Sequence, residues 1–143
     1  MVELDGSFGE GGGQILRTSL ALSLITQQPF HLFNIRQRRK KPGLRRQHLT
    51  AVRAAEAVGN ASVDGAHVDS SDLVFRPGAI SPGAYHFDIG SAGSTTLVFQ
   101  TVLPVLLMCN EASTLLLEGG THNNGAPPLD FLEKALVPLI NRM

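Results

Sequence analysis

The sequence predicts an α/β (α+β) protein built from two units of the order strand-helix-strand-helix-strand-strand, the second unit incomplete. Three observations carry that expectation. Short stretches of period-two alternation take turns with longer apolar stretches of helical spacing. In each half a first strand runs into a loop of glycine and serine, then directly into an apolar helix. "LDGSFGEGGGQILRTSLAL" and "FDIGSAGSTTLVFQTVLPVL" share this plan when laid over each other. The elements that follow repeat in the same order, the signature of an internal repeat.

In the first unit, residues 1–80, Val2 to Leu4 is a short strand. Gln14 to Ile25 is a helix, with Ile15, Leu16, Leu20, Ala21 and Leu24 along one broad face. Phe30 to Ile35 alternates and ends at a basic run, as a strand does. Arg46 to Val58 is a second helix, closed by Gly59-Asn60, a common stop signal. Ala61 to Val68 and Leu73 to Phe75 are two further strands, and Arg76-Pro77-Gly78 ends the unit.

The second unit, residues 81–143, opens after Pro82-Gly83 with a strand over Tyr85 to Ile89. "GSAGSTT" is its small-residue loop, Thr95 to Cys109 its first helix and Ser113 to Leu117 its next strand. After the turn-rich "GGTHNNGAPP", Pro128 to Met143 reads as a helix with proline in the first turn, where a missing N–H is tolerated. The last two strands of the pattern are absent. An open sheet edge or an uncovered helix face is therefore expected. A second copy of the chain, or a missing C-terminal half, is the expected cover.

Composition places the chain among globular proteins: 43% hydrophobic and 17% charged residues. The longest apolar run, Leu97 to Met108, is interrupted by Gln100 and Pro104 and is too short to span a bilayer. The single cysteine, Cys109, excludes an internal disulfide, and no Cys/His spacing suggests zinc. With no signal peptide ahead of the strand-like "MVELDG", a cytoplasmic protein is expected. Net charge is zero, from 12 Lys+Arg against 12 Asp+Glu, but unevenly spread. Arg36, Arg38, Arg39, Lys40, Lys41, Arg45 and Arg46 fall together, and no acid lies between Arg17 and Glu56. Such a cluster attracts an anionic partner far better than the net charge suggests.

Four stretches have the residue types for chemistry. The first glycine loop, with Gly6, Gly9, Gly11, Gly12 and Gly13, sits where backbone N–H groups and the helix dipole meet an anion. It matches neither the GxxxxGK[ST] nor the GxGxxG spacing. Glu10 within it is either an exposed loop charge or a holder of a divalent cation beside a phosphate. Arg17 stands in the first turn of the helix behind it. The second stretch, "IRQRRKKPGLRRQHLTAV", is a candidate nucleic-acid or polyphosphate clamp, because Pro42-Gly43 turns the run and Arg46-Gln47-His48 opens the next helix. In the third, "GSAGSTTLVFQT", Ser91, Ser94 and Thr95 can cap a helix or bind an anion, and Gln100 reads as a core amide ahead of a base reader. The fourth, "EGGTHNNGAPPLDF", holds His122 and Asp130, neither of which is singled out as catalytic. There is no Gly-x-Ser-x-Gly elbow and no paired carboxylates, so a conventional hydrolase is poorly supported.

Taken together, these stretches resemble the RNA 3′-terminal phosphate cyclase family. The matching text is "LDGSFGEGGGQILRTSLALS", "IRQRRKKPGLRRQHLTAV", "FRPG", "IGSAGSTTLVFQTVLP" and "EGGTHNNGAPPLDFL", spread over essentially the whole chain. The likeness is greater to the catalytic bacterial-type enzymes than to the non-catalytic ribosome-biogenesis relatives. The resemblance implies repeated βαβαββ units, as in the enolpyruvyl transferases, and ATP-dependent conversion of RNA 3′-phosphate ends to 2′,3′-cyclic phosphates. It implies ATP and Mg²⁺ or Mn²⁺ as cofactors. By matching position, Glu10 would contact metal or nucleotide phosphates. Arg17, Arg36, Arg39, Lys41, Arg46, Gln47 and His48 would line the phosphate and RNA 3′-end site. Gln100 would contact ATP, which reverses the core-amide reading, and Asp130 matches a polar position near the site. Members of the family are more than twice as long, with the adenylylated histidine in the C-terminal part. No histidine here occupies that place, so the chain alone is expected to be inactive. Two rival expectations are a non-catalytic RNA- or nucleotide-binding module and a subunit that supplies half a site to a partner chain.

Overall fold

A computed structural model describes residues 1–143. β1 (Val2–Asp5), α1 (Gln14–Thr26), β2 (Phe30–Phe33), α2 (Arg46–Val58), β3 (Ser62–Asp64) and β4 (Leu73–Arg76) follow the order read for the first unit. β5 (Ala84–Asp88), α3 (Thr95–Leu106) and β6 (Thr114–Glu118) follow that read for the second. A helical segment closes the chain: α4 (Leu129–Phe131), a π-helical stretch (Leu132–Leu136) and α5 (Val137–Ile140).

Strands β1 and β2 are parallel, joined by α1 as crossover, and β4 and β3 add antiparallel to give the order β1-β2-β4-β3. The second unit repeats the first step: β5 and β6 are parallel and α3 is the crossover between them. β6 is the counterpart of β2, but no antiparallel strand adds to it, so this sheet has two strands.

One hydrophobic cluster serves both units. Leu16, Leu20 and Leu24 of α1, Val52, Ala55 and Val58 of α2, and Phe30, Leu32 and Phe75 of the sheet meet Val98, Val102 and Val105 of α3. The α3 residues recur at helical spacing of three and four, so a single stripe of that helix enters the cluster. No helix is long and apolar enough to cross a membrane.

β2 and β3 are shorter than the alternation suggested, α3 ends at Leu106 rather than Cys109, and the last helix departs further from expectation. The predicted Pro128–Met143 helix starts one residue later, with Pro128 as its N-cap, and ends at Ile140. Pro138 has no N–H to return to the carbonyl four residues back, and the turn ahead of it widens. There the Val137 N–H reaches Leu132 O, a spacing of five.

On the outer face of the larger sheet, His31 ties three segments together. Its Nδ1 lies 2.7 Å from Glu3 Oε2 on β1, and its Nε2 lies 2.9 Å from Asp72 Oδ2 just before β4. Hydrogen bonding to Asp72, then to Glu3, raises the His31 pKa above its ordinary 6.5. The raised value makes the contribution fully present below about pH 6.5, where the unfolded chain is protonated too, and lost as pH rises through the folded value. Urea unfolding of wild type and His31→Gln should therefore differ most at about pH 5.5 and converge toward about pH 9. A gap that widens with pH would contradict the assignment.

Candidate functional site

The first glycine loop joins β1 to α1. Its start is fastened by Asp5, whose carboxylate accepts the N–H and hydroxyl of Ser7 at 2.9 and 2.8 Å. These bonds hold the Asp5 carboxyl below its usual value. Further along, the N–H groups of Gly9, Gly12 and Gly13 find no acceptor in the protein. Gly13 is the N-cap of α1 and brings no side-chain oxygen to the first turn. The open donors of that turn and the dipole of a thirteen-residue helix face the same way.

Arg17 lies one turn inside α1 and is only 8% exposed. Its Nη2 donates to Gln14 Oε1 at 3.0 Å, while its buried Nε has no partner. Burial pulls its pKa below the ordinary arginine value. A buried, unsatisfied donor on a cation is costly, and an anion would relieve it. Gln14, Arg17, Thr18, Gln100 and Pro104 line a cleft of about 250 Å³ between α1 and α3. Gln100 is exposed there and is no core amide. Its neighbours on the inner stripe of α3, Val98 and Val102, are the buried ones. A helix places residues two apart on different faces, and an apolar run conceals which face is inner.

The basic run forms a loop held largely by its own arginines. Arg36 donates through Nη1 to Lys41 O (2.8 Å) and Gly43 O (2.9 Å), closing the loop on itself. Its burial, then the charges of Arg39 and Arg45, lower its pKa. Arg39 pairs with Glu10, and Arg45 pairs with Asp69. Lys41 is exposed and helps line a polar hollow of about 420 Å³ with Lys40, Arg45 and Asp69. The run is thus a structured loop laid beside the first glycine loop, with Arg39 Nη2 3.0 Å from where a Cβ on Gly12 would stand.

The first turn of α2 sits between the two glycine loops. His48 Nδ1 accepts the Arg45 N–H at 3.2 Å, which leaves the ring proton on Nε2. His48 is 9% exposed as a residue, and its ring packs on Gly13. A Cβ at Gly13 would lie 2.5 Å from His48 Nε2 and 2.8 Å from Arg17 Nη1, so only glycine fits. Burial, then the charges of Arg36, Arg17 and Arg45, push the His48 pKa down to about 3. On the other side, Arg46 Nη1 donates to Gly90 O at 2.9 Å and Gln47 Oε1 accepts the Ser94 N–H at 2.7 Å.

The second glycine loop differs from the first where the sequence made them look alike. Ser94 is a true N-cap of α3: its hydroxyl accepts the Leu97 N–H at 3.3 Å and lies 2.8 Å from Thr96 Oγ1. Ser91 is exposed, its hydroxyl 3.4 Å from the Gly93 N–H. Asp130 is tied to the 119–123 loop, accepting from Lys134 Nζ and bonded to His122 Nε2, both at 2.9 Å. Lys134 first, then His122, hold its carboxyl below the usual value. The structure therefore gathers Glu10, Arg17, Arg39 and His48 around Gly12 and Gly13, while Gln47 turns to Gly93 and Ser94 of the second glycine loop. Arg36 closes the neighbouring loop, and Gln100 faces Arg17 across the cleft. Gln14, bonded to Arg17 and lining the same cleft, is a further candidate that the sequence had not singled out; its place at the mouth of the helix was the available signal.

No three His, Cys, Asp or Glu side chains converge as a ready-made cation cage. Glu10 is a single carboxylate with its side chain 87% exposed. That donor suits a Mg²⁺-type ion held by one carboxylate together with phosphate oxygens and water.

A family model described as RNA 3′-terminal phosphate cyclase matches residues 8–143. A protein of Ralstonia nicotianae named RNA 3′-terminal phosphate cyclase is 58% identical over 142 residues, covering 99% of this chain and 41% of its own length. One of the same name from Koribacter versatilis is 54% identical over 143 residues, covering 100% of this chain and 40% of its own. The chain thus spans about two fifths of the length of the curated relatives it matches.

Two outcomes follow from the Gly13–His48 contact. Gly13→Ala should destabilise the fold by about 1–3 kcal/mol in urea unfolding, the usual cost of an overpacked site. An unchanged midpoint would mean the contact is loose. The His48 ring should stay neutral with its proton on Nε2 from about pH 8 to about pH 5 when followed by NMR. Because the folded value is depressed, the unfolded chain takes up a proton that the fold refuses, so His48 costs stability as pH falls below about 6.5. A titration step between those pH values would overturn this.

Proposed function

The chain belongs to the RNA 3′-terminal phosphate cyclase family, and on that premise we propose that it carries the phosphate-binding part of an ATP-dependent RNA 3′-phosphate cyclase. The observation that carries the reading is the buried, unpaired Arg17 Nε beside the uncapped first turn of α1. A phosphate supplies the acceptors that both lack.

The reaction class moves AMP from ATP to a histidine with loss of pyrophosphate, then to the RNA 3′-phosphate. The vicinal 2′-hydroxyl attacks that phosphorus and expels AMP. Activation by AMP supplies the leaving group, and the ribose holds its nucleophile in place already. In this scheme the N–H groups of Gly12 and Gly13 and the Arg17 guanidinium bind nucleotide phosphates, and Gln100 faces the nucleoside across the cleft. Arg39, with Lys41 and Arg36 behind it, draws in the RNA 3′-phosphate. A divalent ion at Glu10 would neutralise phosphate charge, with Arg39 released to the RNA.

We place the nucleophilic histidine outside these 143 residues. His48 is enclosed against Gly13, and its Nδ1 is engaged by the Arg45 N–H. His122 has one nitrogen on Thr121 and the other on Asp130. His31 is bonded on both sides, His86 is paired with Glu118, and His67, between β3 and β4, has its Nδ1 3.1 Å from Val68 O. The isolated chain on this reading binds ATP and turns over no RNA.

The test combines calorimetry with ATP and Mg²⁺ and labelling with α-³²P-ATP, using the Ralstonia relative as labelling control. The expected result is ATP binding without covalent label on the 143-residue chain. Arg17→Met should weaken binding by roughly 10- to 100-fold, the value of hydrogen bonds to a charged group. Label on the short chain would place the nucleophile within it. Absence of ATP binding would overturn the reading, and binding of RNA without ATP would leave a non-catalytic RNA-binding module.

A further inference from the structure

The two glycine loops start from similar text and end in different states. The first leaves its N–H groups and the first turn of α1 open, whereas the second is closed by its own Ser94 cap. The second loop is also held from two directions. Residues 120–123 grip one side: Gly120 N–H donates to Gly93 O at 2.7 Å and Asn123 Nδ2 to Ala92 O at 2.6 Å. The first turn of α2 grips the other, through Arg46 to Gly90 O and Gln47 Oε1 from the Ser94 N–H. Gly93 lies so close to Gln47 that a Cβ there would stand 3.2 Å from Gln47 Cβ and 3.3 Å from Oε1.

Ser94 is the residue on which α3 starts, and Gln100 lies within that helix. The adjacent residue on α2, His48, rests on Gly13, the residue on which α1 starts. Consecutive side chains of one helix turn thus touch the origins of the two helices that wall the cleft. We infer that Gln47 is a positioning residue: by holding the Ser94 N–H it sets where α3 begins, and so places Gln100 opposite Arg17. Gln47 acts through α3 and needs no contact with a ligand. The inference deepens the ATP-binding reading and rests on it for its effect on affinity.

Two variants separate this role from direct contact. Gln47→Met keeps the volume and loses the acceptor; Gln47→Glu keeps an acceptor for the Ser94 N–H and adds a charge. Each is measured in the 143-residue chain against ATP and against tripolyphosphate, which engages the glycine loop and Arg17 without a nucleoside. The ratio of the two affinities cancels the added charge. It should fall about tenfold in Gln47→Met, a coupling of ordinary size, and stay near wild type in Gln47→Glu. Amide exchange is followed alongside, without ligand: the Ser94 N–H should exchange faster in Gln47→Met and remain protected in Gln47→Glu.

Equal loss of ATP and tripolyphosphate binding in Gln47→Met would make Gln47 a direct phosphate contact and overturn the inference. Failure of Gln47→Glu to restore the ratio, or unchanged Ser94 exchange in Gln47→Met, would overturn it as well. A wild-type chain that binds neither probe would sink the ATP-binding reading, while the exchange data would still decide whether Gln47 holds the start of α3.

Discussion

The packing of α3 against both α1 and α2 is the constraint on which the remaining arrangement depends. Val98, Val102 and Val105 enter the same cluster as Leu16, Leu20 and Val52, so the second unit completes the core of the first. Apolar burial at about 25 cal/mol per Å² is non-directional, and it settles only that these faces meet. Direction comes from the polar bonds at the helix starts, where misplacement leaves backbone groups unpaired. With α3 seated, the second glycine loop has one place to go, beside the first turn of α2. Two loops far apart in the chain thereby share one helix turn.

That turn also governs the electrostatics. Arg17, Arg36 and Arg45 surround a histidine that is nearly buried, and the ring answers by staying neutral. A fourth positive charge at that point would meet three like charges in a medium that screens them poorly. The neutral ring still does structural work, accepting a backbone N–H and supporting Gly13. The remaining cationic charge is turned toward the loop surface. Arg39 and Arg45 take single carboxylate partners, and such exposed pairs exchange readily for a stronger anion.

Much of the fold was legible in the residues. Arg46–Val58 was read with its bounds as observed, because Gly59-Asn60 stops it and its apolar stripe is regular. The two strand-loop-helix starts were visible as repeated text, and the parallel pairing of β1 with β2 and β5 with β6 follows from helical crossovers. The shape of the last helix was less legible. Pro128 signalled a start, but Pro138, inside the helix, widens the preceding turn through a backbone contact that apolar periodicity does not record.

The candidate site divides in the same way. Residue types alone marked the glycine loop, Arg17 and the basic run as anion-binding material, since glycine spacing and clustered arginine have few other uses together. They could not show that Ser94 spends its hydroxyl on a cap while Gly13 leaves its turn open, because that depends on φ and ψ at each N-cap. Nor could they tell Gln100 from a core amide, which depends on how far α3 is rotated about its axis when it docks. The sequence by itself determined the elements, their order and the chemistry available at each loop, all of which arise from contacts a few residues apart. Only the tertiary structure decided which groups stay unpaired, because burial and close approach are set by residues distant in the chain that packing brings together.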